Sequence, residues 1–81
     1  METHELKARR DRVQQILADD VFRDACEKAE EDLVAAWKGA TTLDAREAVW
    51  AEYQGLVKIL KRFHRFINEG DIAEHEETRK P

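Results

Sequence analysis

This sequence predicts an all-α fold: an antiparallel helical hairpin plus one N-terminal helix, forming a small three-helix unit within a single domain of residues 1–81. Between Val49 and Ile67, large apolar residues recur at steps of four and three, the spacing of one helix face. Hydrophobic residues make up 42% of the chain and charged residues 40%, a balance typical of amphipathic helices. A chain of 81 residues builds only a small core, so oligomerisation is a natural source of further stability.

The first helix is predicted over residues 3–18, with Thr3 as its N-cap. Its apolar stripe is thin and consists of Leu6, Val13, Ile16 and Leu17. Because a short helix with little apolar surface is marginal alone, we expect it to dock on the other helices or to fluctuate. Asp19 and Asp20 interrupt the pattern, and either aspartate can cap a new helix. The stretch lacks glycine and proline, so one continuous helix over residues 3–38 remains an open alternative.

The helical hairpin is predicted over residues 19–70, with arms at 21–38 and 43–69. The apolar seam of its first arm is narrow and consists of Phe22, Cys26, Ala29, Leu33, Ala36 and Ala40. Small residues in this seam allow larger side chains of the second arm to approach closely. A connection of about three to six residues favours antiparallel arms.

Glycines and threonines predict where the arms begin and end. Gly39 is expected to end the first arm with a positive φ, and the stretch 41–44 offers N-caps for the second. The second arm is expected to stop at Gly70, followed by a polar tail over residues 71–81 in which residues 71–74 offer the start of a short further helix and residues 76–81 fray. Gly55 inside the arm costs about 1 kcal/mol relative to alanine, which is tolerable if a neighbouring group needs the space.

The second arm carries an apolar arc that covers roughly 200° of its circumference. The centre of this arc is formed by Val49, Tyr53, Leu56, Leu60, Phe63 and Ile67. Further apolar residues flank the centre on both sides, and one partner helix cannot cover them all. We therefore predict an interface with another subunit or protein that includes Trp37, Trp50, Val57, Ile59 and Phe66.

A basic stripe lies almost opposite the apolar seam of the second arm. It consists of Lys58, Lys61, Arg62 and Arg65, spaced at i, i+3, i+4 and i+7. Clustered cations of this kind bind nucleic-acid phosphates or an acidic protein. An ordinary solvated face, with cations near a helix C-terminus, is the simpler interpretation for a chain of net charge −4.

The sequence lacks the spacings typical of catalytic or metal sites. Candidate metal ligands are His4, His64, His75 and Cys26, but no two of them share a helix turn. Candidate acid–base residues form one acidic stretch, which consists of Glu27, Glu30, Glu31 and Asp32. Acid–base catalysis requires carboxylates in a cleft, and a small hairpin is expected to keep them on a solvated face. We therefore predict no enzymatic activity, no catalytic residue, no cofactor and no metal.

The net charge, the single cysteine and the absence of long apolar runs indicate in which cellular compartment the protein works and whether it binds membranes. The negative net charge argues against a general attraction to nucleic acid or to anionic membranes. A single cysteine forms no internal disulfide, so a cytosolic setting is the simpler interpretation. No apolar run approaches the length of a membrane span, and the polar N-terminus is unlike a signal peptide. We expect no membrane partner.

Several short segments, in their order along the chain, resemble one group of viral proteins. They are Ala18-Asp19-Asp20-Val21-Phe22, Ala36-Trp37-Lys38, Arg46-Glu47, Val49-Trp50 and Ile67-Asn68-Glu69-Gly70-Asp71-Ile72-Ala73. Over roughly residues 6–75 the chain resembles small helical proteins encoded in the virion-morphogenesis region of tailed bacteriophages and prophages. Related sequences often carry proline where this chain has Asp20. The resemblance brings no catalytic signature.

Two functions from different classes are consistent with these features. The first is a non-enzymatic phage-type protein that forms a homo-oligomer or attaches to a virion or assembly component through the aromatic flanks of the third helix. The second is a phage-encoded regulator that binds nucleic acid or a host protein through the basic stripe. In either case, the resemblance implies a location in the host cytoplasm or in the virion.

Overall fold

The computed structural model describes residues 1–79 and consists of three α-helices. Helix α1 spans Thr3–Ala18, α2 spans Asp20–Gly39 and α3 spans Leu43–Arg79. The described residues contain no β-strand. The all-α prediction, with a hairpin and an N-terminal helix, is therefore confirmed.

Helix α3 is the long element on which the other two helices pack one after the other. Its 37 residues span about 56 Å, close to the 62 Å length of the molecule. Helix α1 packs antiparallel to the C-terminal half of α3, where Arg10 meets Gly70. Helix α2 packs antiparallel to the N-terminal half, and its first turn reaches α3 where the Phe22 and Phe63 rings lie 5.9 Å apart. The molecule is thus a long hairpin with one broken arm.

Helix α1 makes the most extensive packing with α3, more than α2 does. The sequence predicted that α1, with its thin apolar stripe, either docks on the other helices or fluctuates, and the structure shows it docked on α3. The two helices approach closely at Gly70, and several cations of α1 also pair with carboxylates of α3.

The break between α1 and α2 lies at Asp19, which settles the open alternative in favour of two helices. Asp19 has an extended backbone with φ −69° and ψ 128°, and its carboxylate accepts a 2.9 Å hydrogen bond from the Phe22 amide. The aspartate thus satisfies one of the free amides at the start of α2, as its N-cap role predicts.

The loop between α2 and α3 is closed by a buried alanine and a threonine cap. Ala40 is extended, and its amide donates to the Trp37 carbonyl at 3.2 Å, which closes the last turn of α2. The Thr42 hydroxyl accepts from the Ala45 amide at 3.1 Å, so the cap predicted within residues 41–44 is confirmed. The positive φ predicted for Gly39 is wrong, because Gly39 is still helical and the extended Ala40 ends the helix instead.

Two further predictions about helix ends are corrected. Thr3 is the first helical residue and not the N-cap; Glu2 occupies the cap position without a side-chain hydrogen bond. The predicted end of the third helix at Gly70 is also wrong, because α3 continues without a break to Arg79. Residues 71–79, predicted as a polar tail, are therefore helical. Gly70 serves close packing instead: an added Cβ would overlap Arg10 and lie 2.9 Å from the Leu6 carbonyl oxygen. Residues 80 and 81 of the predicted tail lie outside the described range.

The buried interior of residues 1–79 is very small. Its apolar members are Val13 and Ala73, which lie in the α1–α3 half of the molecule with Gly70 and Arg10, and Ala40, which lies in the loop at the other end. Two helices in contact cover only one side of each other, so the remaining large apolar residues of a broad arc stay at the surface.

Candidate functional site

A cluster of exposed apolar side chains lies near the loop end of the hairpin, and we call it the aromatic patch. It consists of Val34 and Trp37 of α2 and of Trp50 and Tyr53 of α3. Their exposed fractions are 47%, 44%, 54% and 40%, respectively. Exposed apolar side chains are common singly, but a group of four with three aromatic rings is typical of an interaction site.

The patch lines an open groove of about 370 Å³ between α2 and α3. The half-buried Leu33 and Val49 form part of its lining, and Glu30 and Lys38 lie at its border. The groove is therefore mainly apolar, with charges confined to the α2 side.

Neighbouring groups restrict how the patch side chains can move. The rings of Trp50 and Tyr53 lie 5.6 Å apart and are tilted by 31°. The Arg46 guanidinium lies 5.6 Å from the centre of the Trp37 ring, and its Nε donates to the Ala40 carbonyl at 3.3 Å. The cation–π contact and the hydrogen bond both hold the guanidinium of Arg46 in place beside Trp37. A partner would therefore meet a surface that is already ordered.

The five residues predicted to form an interface do not lie on one surface. Trp37 and Trp50 belong to the aromatic patch, and Val57, two helical turns after Trp50, is half-buried. Ile59 is 57% exposed but follows Trp50 by nine residues, so it lies on the opposite flank of α3. Phe66 is half-buried beneath Arg9, whose guanidinium carbon lies 3.8 Å from the ring centre.

The basic stripe lies at the surface along the middle of α3. Lys58, Lys61, Arg62 and Arg65 are all exposed and, with Ile59, line an open groove. Arg65 pairs with Glu69 at 3.2 Å, one helical turn further on. The other three cations have no acidic partner within residues 1–79, so they remain available to an anionic ligand.

An ion-pair network between α1 and the C-terminal half of α3 is the feature that sequence reasoning missed. Arg10 is only 8% exposed and donates to Glu74 at 2.7 Å, Asp71 at 3.1 Å and Asp11 at 3.0 Å. The bonds to Glu74 and Asp11 raise the pKa of Arg10 above its usual value, so this group stays charged at any ordinary pH.

Two more cations of α1 extend the network on either side of Arg10. Arg9 pairs with Glu69 at 2.6 Å, and Lys7 pairs with Glu77 at 3.0 Å. The signal in the sequence was a cationic segment at residues 7–12 together with acidic residues repeated over 69–77. These segments are distant in sequence, so their pairing was not apparent without knowing that α3 continues to Arg79.

The groups considered for catalysis or metal binding lie apart from one another. Cys26 is half-buried in α2 and is a free thiol. His4 lies at the exposed N-terminus, where its Nδ1 is 3.4 Å from Glu2 and the ligand atoms of Glu2, His4 and Glu5 lie within 4.8 Å of one another. The acidic residues predicted to form a solvated face are all exposed: Glu27, Glu30, Glu31 and Asp32.

Comparison with known proteins adds no assignment to this geometry. No family model, no curated protein and no solved structure matches the chain. Within residues 1–79, none of the helices combines the length and the apolar character needed to cross a lipid bilayer.

Proposed function

We propose that this protein is a non-enzymatic helical interaction protein of phage type, which self-associates or attaches to a virion or assembly component. The observation that carries the proposal is the aromatic patch, where Trp37, Trp50 and Tyr53 are about half exposed on an otherwise strongly charged chain. Burying such rings against a partner removes apolar area from water, and aromatic residues dominate the binding energy of protein interfaces.

The small interior supports the same proposal. Few side chains are buried in the isolated chain, and large apolar residues remain exposed on both flanks of α3. A partner on the aromatic patch would add the apolar burial that a two-layer hairpin lacks. The phage-type part of the proposal is supported by the resemblance of the segments around Trp37 and Trp50 to small phage proteins.

The experiment compares Trp50→Ser with Ile59→Ser, a matched control on the opposite flank of α3. Both residues are more than half exposed, so neither change should unfold the chain. Sedimentation over a range of concentrations would measure self-association. Co-purification of the tagged chain with phage structural proteins would measure attachment to a virion component.

We expect Trp50→Ser to weaken association about tenfold or more and Ile59→Ser to change it little. A wild-type chain that remains monomeric and binds no structural protein would contradict the proposal. Equal effects of the two variants would also contradict the assigned surface.

A second candidate function is a regulator that binds nucleic acid or an acidic host protein through the basic stripe. It is favoured by one observation: Lys58, Lys61 and Arg62 are exposed and have no carboxylate partner within the described residues. Duplex binding titrated over a range of salt concentrations tests this function. Phosphate contacts would make the logarithm of the affinity fall linearly with the logarithm of salt. The absence of binding at low salt, or binding unaffected by Lys61→Ala with Arg62→Ala, would contradict it.

A further inference from the structure

We infer that the aromatic patch is covered by a second copy of this chain, in a two-fold dimer whose axis runs along the helices. In this dimer, α2 of one copy lies over α3 of the other. The inference rests on the proposed function and specifies its partner. It is argued from the charges that flank the patch on each helix.

On α2, the patch continues into an acidic segment on the same helix face. Glu30 and Glu27 precede Val34 by four and seven residues, so the three side chains lie one above another. The structure places all three along one surface groove, and both glutamates are exposed. Near the loop, the α2 stripe thus carries the apolar patch residues together with Lys38, and further from the loop it is negative.

On α3, the patch continues into a basic segment. Lys61 follows Trp50 by eleven residues, about three helical turns, and therefore lies on the same side of α3. Lys58, one turn before Lys61, lies beside it, and both are exposed. The α3 stripe is thus apolar near the loop and positive further away, which is the complement of the α2 stripe.

The two charged segments lie at the same distance from the loop. Phe22 contacts Phe63, and Leu33 shares a groove with Tyr53, so Glu27 lies level with the α3 turn that contains Lys58. Within residues 1–79, no ion pair joins these glutamates to these lysines. The acidic segment of α2 and the basic segment of α3 thus lie at the same level along the helices, and they form no ion pair with each other within the described part of one chain.

Only one of the two face-to-face two-fold arrangements pairs these charges. With the axis along the helices, α2 of each copy lies over α3 of the other at the same height, so acidic meets basic and patch meets patch. With the axis across the helices, each helix meets its own copy in reverse, and the charged segments point away from each other. Closed two-fold contacts are the commonest form of self-association, and opposite charges across such a contact determine its register.

The surface area is consistent with this arrangement. Three rings of about 200 Å² each, about half exposed, present roughly 300 Å² of aromatic surface per copy. A specific interface buries at least about 1,000 Å² in total, so complete burial of the rings of both copies, about 600 Å², would supply somewhat more than half of that minimum. The flanking side chains on the same face, which include Val34, Val57 and the charged segments, supply the remainder.

The test is a charge swap between chains. One variant carries Glu27→Lys with Glu30→Lys, and the other carries Lys58→Glu with Lys61→Glu. Each variant alone would place like charges opposite each other, and we expect its dimer dissociation constant to rise about tenfold or more. In an equimolar mixture, every contact is again between opposite charges. We expect heterodimers to form with near wild-type affinity, as measured by native mass spectrometry and sedimentation.

A matched control excludes a simple effect of net charge. Asp32→Lys with Glu52→Lys changes the net charge by the same amount as the acidic-segment variant, but both residues line the groove on the other flank of the hairpin. We expect this control to dimerise like the wild type. We expect the control mixed with Lys58→Glu/Lys61→Glu to form no heterodimer beyond the amount seen with the wild-type chain.

Three outcomes would overturn the inference, and they separate it from the broader proposal. A monomeric wild-type chain that still binds a structural protein through Trp50 overturns the inference and leaves the proposed function intact. A dimer that depends on Trp50 but is unaffected by the charge-swap variants overturns the inferred two-fold geometry and leaves self-association through the aromatic patch intact. A chain that neither dimerises nor binds a structural protein overturns both.

Discussion

Individual residues in this protein show how tertiary contacts assign different roles to chemically identical positions. Gly55 and Gly70 both lie inside α3, and both have helical backbone conformations. A Cβ added at Gly55 meets no atom within 4 Å, whereas at Gly70 it would overlap Arg10. The close approach of a neighbouring group that was expected beside Gly55 is therefore absent there. It occurs at Gly70, where α1 packs against α3.

The first prediction compares alanine at these two glycines. Gly55→Ala should raise the free energy of unfolding by about 1 kcal/mol, because alanine favours the helix and meets open space. Gly70→Ala should lower it by about 1–3 kcal/mol, because α1 must move away from α3. Urea unfolding followed by circular dichroism measures both. A Gly70→Ala variant that is as stable as the wild type, or more stable, would contradict the close contact between Gly70 and Arg10.

The second prediction concerns Arg10, whose raised pKa keeps it charged in every ordinary buffer. A raised arginine pKa contributes stability below its unfolded value and loses it only at strongly basic pH, so no dependence on neutral pH arises from this group. Arg10→Met should lower the urea midpoint, because Asp71 and Glu74 then face each other without a cation. Arg10→Lys should recover only part of the loss, because an ammonium lacks the planar set of donors.

The exposed Arg12 is the matched control for Arg10, and Arg12→Met should leave the midpoint nearly unchanged. The difference in urea midpoint between wild type and Arg10→Met should also become smaller at about 1 M salt, because the Debye length falls to about 3 Å and the ion pairs are screened. A midpoint that does not respond to Arg10→Met would show that the network contributes no stability.

At the scale of the helices, the break at Asp19 allows one arm of the hairpin to follow two different faces of α3. Helix α2 packs on the face that includes Val49 and Leu56, whereas α1 packs on the face that includes Phe66 and Gly70. These faces are offset around α3, so a straight continuous helix would not cover both. The cap at Asp19 is therefore the element that lets both halves pack.

The third prediction tests this cap. Asp19→Ala should lower the free energy of unfolding by about 1 kcal/mol, because the Phe22 amide loses its acceptor and alanine favours a fused α1–α2 helix. Asp19→Asn is the control, since asparagine caps a helix about as well as aspartate. Thermal unfolding of both variants measures the difference. If Asp19→Ala is as stable as Asp19→Asn, the cap is not what ends α1.

At the scale of the whole molecule, the elongated two-layer shape determines what remains exposed. A body of 62 × 25 × 16 Å with two helices in cross-section leaves both flanks of α3 open. One flank carries the aromatic patch and the other carries Ile59, and the basic stripe runs along α3 between them. The two proposed functions therefore share Lys58 and Lys61, whereas Trp50 belongs to the aromatic patch alone and Arg62 to the basic stripe alone, so changes at Trp50 and Arg62 separate them.

The fourth prediction follows from self-association through the aromatic patch. A dimer binds the folded chain but not the unfolded one, so a tenfold increase in protein concentration should raise the melting temperature by about 3–6 °C. Trp50→Ser, which weakens association, should lower the melting temperature and make it depend less on concentration. Differential scanning fluorimetry over a hundredfold range of protein concentration measures how the melting temperature of each chain depends on concentration. A wild-type melting temperature that does not change with concentration would argue for attachment to a different protein.

Sequence reasoning predicted part of the candidate site. The broad arc of α3 required some large residues to remain exposed, and Trp37, Trp50 and Ile59 are exposed. It did not separate the two flanks into different surfaces. It also placed Phe66 at the interface, where the structure instead covers the ring with Arg9 of α1.

The sequence alone predicted the all-α fold, its amphipathic helices and the short loop before Leu43, and it left open whether the chain breaks near Asp19 and Asp20 or continues as one helix. Periodicity and capping are local, because the groups that satisfy each other lie within a few residues. The tertiary structure decided where α1 docks, why α3 continues through Gly70 and which carboxylates pair with the cations of α1. Those contacts join residues about 60 positions apart, and short-range patterns carry no signal across that distance.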